Sequence, residues 1–299
     1  MDGSFISRSF KSLPLSDDFM FGEVMRRPEI CKLFLEALLG KEIARIEYIS
    51  KQQDLSDSYT SHGIRLDVYL KDGENTVYCV EMQTTGGMVL FKRIRYYQGM
   101  IDRHNLQKGA HYSKLPESFI IMICTEDLFG CGLAVYRRKV TMEGCENIVY
   151  DDGSNVYLLN SAYTTGNVDD AILEFLNCIR SNDTSAAAYK TTLMQEVCPA
   201  INEIREDPGK EAEYMTWQTK LMDVEYEALE RGRAEGRGEG REEGREEGIQ
   251  QGVEKGICAS IKLIRDISYS KEMAIEKIME QFQLTLQVAE EKVALYWPQ

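Results

Sequence analysis

An α/β domain followed by a helical extension is the architecture the sequence predicts, on three observations. Helical apolar periodicity runs from Phe19 to Leu39 and stops at Gly40. Two β-rich segments, GIRLDVYL and TVYCVEMQ, flank the turn KDGEN. The run SFIIMICTED (118 to 127) has the continuous apolar character of a strand buried on both faces. The 299-residue chain is 43% hydrophobic, enough for a sizeable core, so disorder is not the default.

The elements follow in order. Ser16-Asp17-Asp18 supplies N-cap chemistry for one helix over Phe19 to Leu39. ARIEYIS (44 to 50) reads as a strand, and the two arms around KDGEN as an antiparallel hairpin. That hairpin sets Asp67 and Glu81 near the ends of their strands, adjacent across the ladder. A helix from about Met88 to Leu106 precedes the central strand 118 to 127, and further strands are expected around AVYRRKV and NVYLLN. Beyond Thr164 only helical periodicity remains. The division is therefore an α/β domain over 10–165, a helical extension over 166–230 packed on it, and a glycine-repeat charged helix with amphipathic helices over 231–299.

That repeat runs GRAE-GRGE-GREE-GREE-GIQQ-GVEK-G, with glycine at 232, 236, 240, 244, 248, 252 and 256. In a helix each glycine lies about 40° around from the last, leaving a stripe where another backbone can approach. Seven glycines cost a lone helix roughly 7 kcal/mol relative to alanine. The i,i+4 rows are of like charge, so favourable Arg–Glu contacts must be i,i+3 or come from a partner helix. Packing as a helix and a flexible tether both stand as readings. Ile249, Val253, Ile257, Ile261 and Ile264 continue the stripe as an apolar seam suited to docking or to a homodimer.

The net charge of −14 opposes a nucleic-acid partner only in sum. Between Thr85 and Lys114 six basic residues, Lys92, Arg93, Arg95, Arg103, Lys108 and Lys114, face one acid, Asp102, a local balance of +5. Eight cysteines without a CxxC pair, several inside apolar runs, fit buried thiols in a reducing cytoplasm. No apolar run approaches the roughly 20 residues of a membrane span. The three histidines, His62, His104 and His111, have no zinc-like spacing.

Asp67 and Glu81 are acids inside otherwise apolar strands, where an unpaired charge is costly to bury. A hard divalent cation would satisfy them, with the backbone carbonyl of Met82 as a third oxygen. Gln83, two residues on, shares the face of Glu81 and is placed to orient a water or an anionic oxygen. Ion pairing with Arg65, Arg93 or Arg95 satisfies the acids equally well on spacing alone. Arg93 and Tyr97, i and i+4, share a helix face; either both present themselves to a phosphate, or the tyrosine packs in the core while Arg93 pairs with Glu81.

The run LSDDFMFGEVMRRPEICKLFLEALLGKEI, then IRLDVYLKD, VYCVEMQ, KRIRYYQGMID, LQKGAHYSKLPESFIIMIC and EDLFG, closely resembles the Rpn-type recombination-promoting nucleases, the PD-(D/E)XK nuclease family of transposase-like proteins. The resemblance covers residues 13 to 165 in order, and the glycine-repeat tail looks like that of many members. It implies a restriction-endonuclease-like core, with a mixed sheet flanked by helices. It implies Asp67, Glu81 and the Met82 carbonyl as ligands of Mg²⁺ or Mn²⁺, and Glu23 on the first helix stands where some superfamily members place a further acid. Asp18 and Phe21 match the family's leading D-x-x-F segment, where a cap role for Asp18 fits as well. Gln83 stands where the superfamily usually has lysine; a neutral amide only hydrogen-bonds, which implies a slower reaction or a second metal. Arg93, Arg95 and Tyr97 match the family's R-x-R-Y-Y stretch and, with Lys108, are the expected DNA contacts.

The expected activity is therefore a Mg²⁺-dependent DNA endonuclease of the recombination or mobile-element type. Sequence preference should be low, since neither a zinc finger nor a helix-turn-helix is visible. The alternative is a catalytically weak or idle nuclease fold serving as an interaction or scaffold module, favoured by the acidic net charge and the missing lysine.

Overall fold

The computed structural model describes residues 9–55, 64–84, 87–267 and 270–297. Its contacts divide the chain into two compact units, residues 1–216 and 217–299.

In the first unit the apolar stretch 19–39 forms two helices, α1 (Asp18–Met25) and α2 (Pro28–Leu39), rather than one. Proline at 28 lacks an amide to continue α1 and pushes Arg27 to φ −75, ψ 117, so the chain breaks there and restarts with Pro28 in the first turn of α2. Asp17 caps α1, accepting from the amides of Phe19 at 3.0 Å and Met20 at 3.4 Å. Gly40 ends α2 in the left-handed region, φ 65.

Strands β1 (Ile46–Leu55), β2 (Ile64–Asp72) and β3 (Val77–Gln83) form an antiparallel meander. The turn between β2 and β3 is locked by the Asp72 carboxylate, which accepts from the amides of Glu74 and Thr76 and from the Tyr78 hydroxyl, each at 2.9 Å. Helix α3 (Val89–Asn105) then leads to β4 (Ser118–Cys124), which lies parallel to β3 and brings Met122 opposite Glu81. The short β5 (Val135–Arg137) follows, then a separate hairpin of β6 (Val140–Met142) and β7 (Cys145–Tyr150), which sequence patterning had not separated. Strand β8 (Ser154–Asn160) completes a six-stranded mixed sheet in the order β1-β2-β3-β4-β8-β5.

Helix α3 buries Leu90, Ile94, Tyr97 and Ile101, spaced four, three and four residues apart, against Tyr69, Val77, Cys79, Ile120, Met122 and Cys124 of the sheet. Helices α1 and α2 lie against β2 and β1, and α4 (Asp170–Ser181) and α5 (Thr192–Glu206) pack on them in turn, with Phe34 of α2 and Phe175 of α4 5.0 Å apart. Five cysteines are buried, Cys258 is half-buried, and Cys131 and Cys145 are exposed, so not every thiol is part of a core.

The glycine repeat is helical, within α6 (Pro208–Asp266). Its ion pairs are i,i+3: Glu230 with Arg233 at 3.0 Å and Glu242 with Arg245 at 2.9 Å. In the second unit the apolar seam is only partly free. Ile257, Ile261 and Ile264 are buried against Ala274 and Ile278 of α7 (Lys271–Phe282) and Ala289 and Val293 of α8 (Leu286–Tyr296), whereas Ile249 and Val253 are exposed. No helix among the described residues is long and apolar enough to cross a membrane.

A Cβ added at Gly240 or Gly244 meets nothing within 4 Å. Alanine at either position should therefore stabilise α6 by about 1 kcal/mol, read as a later loss of helical circular dichroism on heating. A lower midpoint would mean that another backbone covers the stripe in solution.

Candidate active site

The β2–β3 ladder ends with Val68 opposite Val80. One residue further, the same register sets Asp67 against Glu81, and side chains take over from the backbone. The Asp67 amide donates to Glu81 Oε1 at 2.8 Å, and the Met82 amide donates to Asp67 Oδ2 at 3.0 Å. Each carboxylate therefore accepts an amide of the opposite strand, where a ladder carbonyl would otherwise stand.

Glu81 is only 2% exposed. Burial and the neighbouring Asp67 push its carboxyl well above the usual carboxylate range. Burial likewise raises Asp67 to about 6, opposed by the Met82 amide and by Arg93 and Arg26, and reinforced by Asp18. Arg93 of α3 approaches Glu81 Oε2 at 3.9 Å, at the outer limit of an ion pair. The guanidinium lies 5.4 Å from the centre of the Tyr97 ring. Tyr97 itself is in the α3 core, its hydroxyl raised to about 12 chiefly by burial. Its ring lies beneath the Arg93 guanidinium, within the core that α3 forms on the sheet.

Not every residue expected here converges. Glu23 is held in ion pairs with Arg26 and, at 2.9 Å, with Lys210. Asp18 is the helix-one acid whose charge reaches both Asp67 and Glu81, and since Asp17 provides the cap, its carboxylate is free of that duty. The Met82 carbonyl is engaged by the Gln83 side-chain amide at 2.7 Å, which leaves one lone pair for another partner. Arg95 faces a cavity on another side of α3, and Lys108 lines a shallow concavity beyond the end of that helix. The side chains of Arg65 and His62 lie outside the described residues. Among the described residues no three His, Cys, Asp or Glu side chains stand together at metal-ligand spacing. The pair of adjacent acids, Asp17 and Asp18, was the sequence signal that one of them could serve the site, because an N-cap needs only one.

An antiparallel hairpin leading into central parallel strands, with an acid on each arm where pairing ends, defines the class: a PD-(D/E)XK nuclease-like α/β core with an appended helical part. The chain belongs to the PD-(D/E)XK nuclease family transposases, whose family pattern matches residues 18–229. No curated protein matches the sequence.

Asp67 binds its proton more tightly folded, at about 6, than at its ordinary 3.8. Metal-free stability should therefore be greatest below about pH 4 for this group, fall as pH rises toward 6, and level off above. Glu81→Gln keeps the acceptor for the Asp67 amide and removes the like charge. Urea denaturation in EDTA should show it at least as stable as the parent at pH 7.5, by about 1 kcal/mol, with a flatter pH profile.

Proposed function

We propose that the chain is a divalent-metal-dependent DNA endonuclease of low sequence specificity, of the recombination-promoting or mobile-element kind, with Asp67, Glu81 and Gln83 at its centre. The observation that carries this reading is the buried pair of carboxylates, Asp67 raised chiefly by burial and Glu81 by burial and by Asp67, with the Arg93 guanidinium 3.9 Å from Glu81. Hard oxygen donors with excess negative charge fit a hard cation. Asp67, Glu81 and the open lone pair of the Met82 carbonyl would hold Mg²⁺ or Mn²⁺, with Asp18 rather than Glu23 adding charge from α1. Bound there, the ion would supply positive charge to a scissile phosphate and acidity to a water beside it.

The chain's own residues do the rest. Arg93, 42% exposed in its side chain and backed by Tyr97, binds a phosphate oxygen. The Gln83 amide, now on the Met82 carbonyl, swings to hold the attacking water by hydrogen bonds, without the charge a lysine would bring. The 10–165 segment is the catalytic domain in this reading. The glycine-repeat helix is a surface for a homodimer, and the largely buried, unpaired thiols support a reducing cytoplasm as its location.

A second reading, an idle nuclease fold used as an interaction module, draws on one observation: both carboxylates and the Gln83 amide already have backbone partners.

Supercoiled plasmid with Mg²⁺ separates the two. Nicking is expected from the parent and a loss of at least about 100-fold in Asp67→Ala and Glu81→Ala, with Gln83→Lys faster than the parent. Mg²⁺ should also raise the melting temperature of the parent and of neither alanine variant. Equal residual nicking in all forms, with no thermal shift, would leave the interaction module.

A further inference from the structure

Helix α3 carries a second feature that the metal site does not use. On the side away from Arg93, the helix, β4, β5 and β8 enclose a cavity of about 790 Å³, within the size range of small-molecule sites. One end is aromatic: Phe91, Phe129 and Tyr136 form a chain, with ring centres 5.7 Å and 4.8 Å apart, above Val156 and Leu158 of the sheet. The Tyr136 hydroxyl is bound to Asp127 at 2.7 Å, so what this ring offers a ligand is its face. The other end is polar and already ordered. Gln98 donates to Ser118 Oγ at 2.9 Å and to Asp102 at 2.8 Å and accepts from Ser154 Oγ at 2.9 Å, and Arg138 holds Ser154 at 2.6 and 2.7 Å.

Between the two ends stands Arg95, a guanidinium with no carboxylate or hydrogen-bond partner among the described residues. Arg137, also on the wall, stacks on Tyr157 at 5.4 Å and has no polar partner there either. Gly99 lies in the interior of α3, where glycine weakens a helix, and a Cβ built on it meets nothing within 4 Å. The helix gives up stability at a position that keeps the cavity open.

We propose that this cavity is a nucleotide site: a heteroaromatic ring stacks on the Phe91–Phe129–Tyr136 surface, its polar edge meets the Gln98–Ser154 network, and its phosphate is bound by Arg95. Stacking surfaces combined with unpaired guanidinium groups are how proteins hold unpaired nucleotides. An apolar acid such as a fatty acid fits less well, because it would leave the polar end without a ligand partner. The ligand is either an unpaired nucleotide of a nucleic-acid strand or a free nucleotide. The inference takes its ligand class from the nuclease reading, yet it concerns binding, not cleavage, so either can fail alone.

The full-length protein is titrated in EDTA, where metal-dependent cleavage cannot intervene, into a fluorescein-labelled ten-nucleotide single strand, followed by anisotropy, with dAMP as competitor. The parent should bind the strand and release it to dAMP. Gly99→Leu, which fills open space with a better helix former, should melt no lower than the parent yet bind at least ten-fold more weakly, and Arg95→Gln should weaken both ligands. A strand bound more tightly than dAMP identifies a strand site, and the reverse order a free-nucleotide site; either supports the proposal. Equal affinity in the parent and Gly99→Leu, or no binding of strand or dAMP, overturns it, whatever the plasmid assay shows.

Discussion

Two carboxylates buried side by side, where the pairing of β2 and β3 stops, set the terms for the first unit. Burying one charge is costly, and burying two of the same sign more so. The structure offsets this by giving each acid an amide of the opposite strand and by bringing Arg93 and the charge of Arg26 toward them. This arrangement depends on register. Moving β3 by one residue would turn Glu81 to the other face, opposite the side that α3 covers. The Asp72-locked turn, a few residues back along the same hairpin, fixes that register.

Helix α3 distributes three tasks around its circumference. Its buried stripe, Leu90, Ile94, Tyr97 and Ile101, attaches it to the sheet, and the positions on either side of that stripe face different surroundings. Arg93 reaches toward Glu81 on one side, while Arg95, Gln98 and Gly99 line the cavity on the other. Residues two apart on a helix lie about 200° around from each other, so Arg93 and Arg95 cannot serve one phosphate from one face. The local excess of positive charge is thereby divided between the acidic pair and a separate cavity.

The second unit shows a different balance. Glycines at every fourth position weaken α6, and near its end packing of Ile257, Ile261 and Ile264 against α7 and α8 compensates. The Lys292 ammonium holds Glu254 at 2.6 and 2.7 Å, joined by the Tyr296 hydroxyl, and anchors α8 one turn before that core. The apolar seam that reads from the sequence as a docking surface is therefore consumed within the chain at its C-terminal end and remains exposed at Ile249 and Val253.

The sequence by itself determined what local chemistry can determine. The hairpin and its acids, the uninterrupted central strand, the amphipathic α3, the Gly40 stop and the helical character of everything after Thr164 are written in periodicity and turn residues, whose effects reach only a few positions. The break at Pro28 is equally local, although the apolar spacing continues through it and masks it. Which acid of Asp17 and Asp18 caps α1 and which acts on Asp67, the pairing of Glu23 with Lys210, the burial of Tyr97 beneath Arg93, and the framing of the cavity were decided only by tertiary structure. Each of these depends on elements distant in the chain, α1 against β2, the first turn of α6 against α1, β8 beside β4. No spacing within one segment encodes which charged group of another segment it will meet once both are packed.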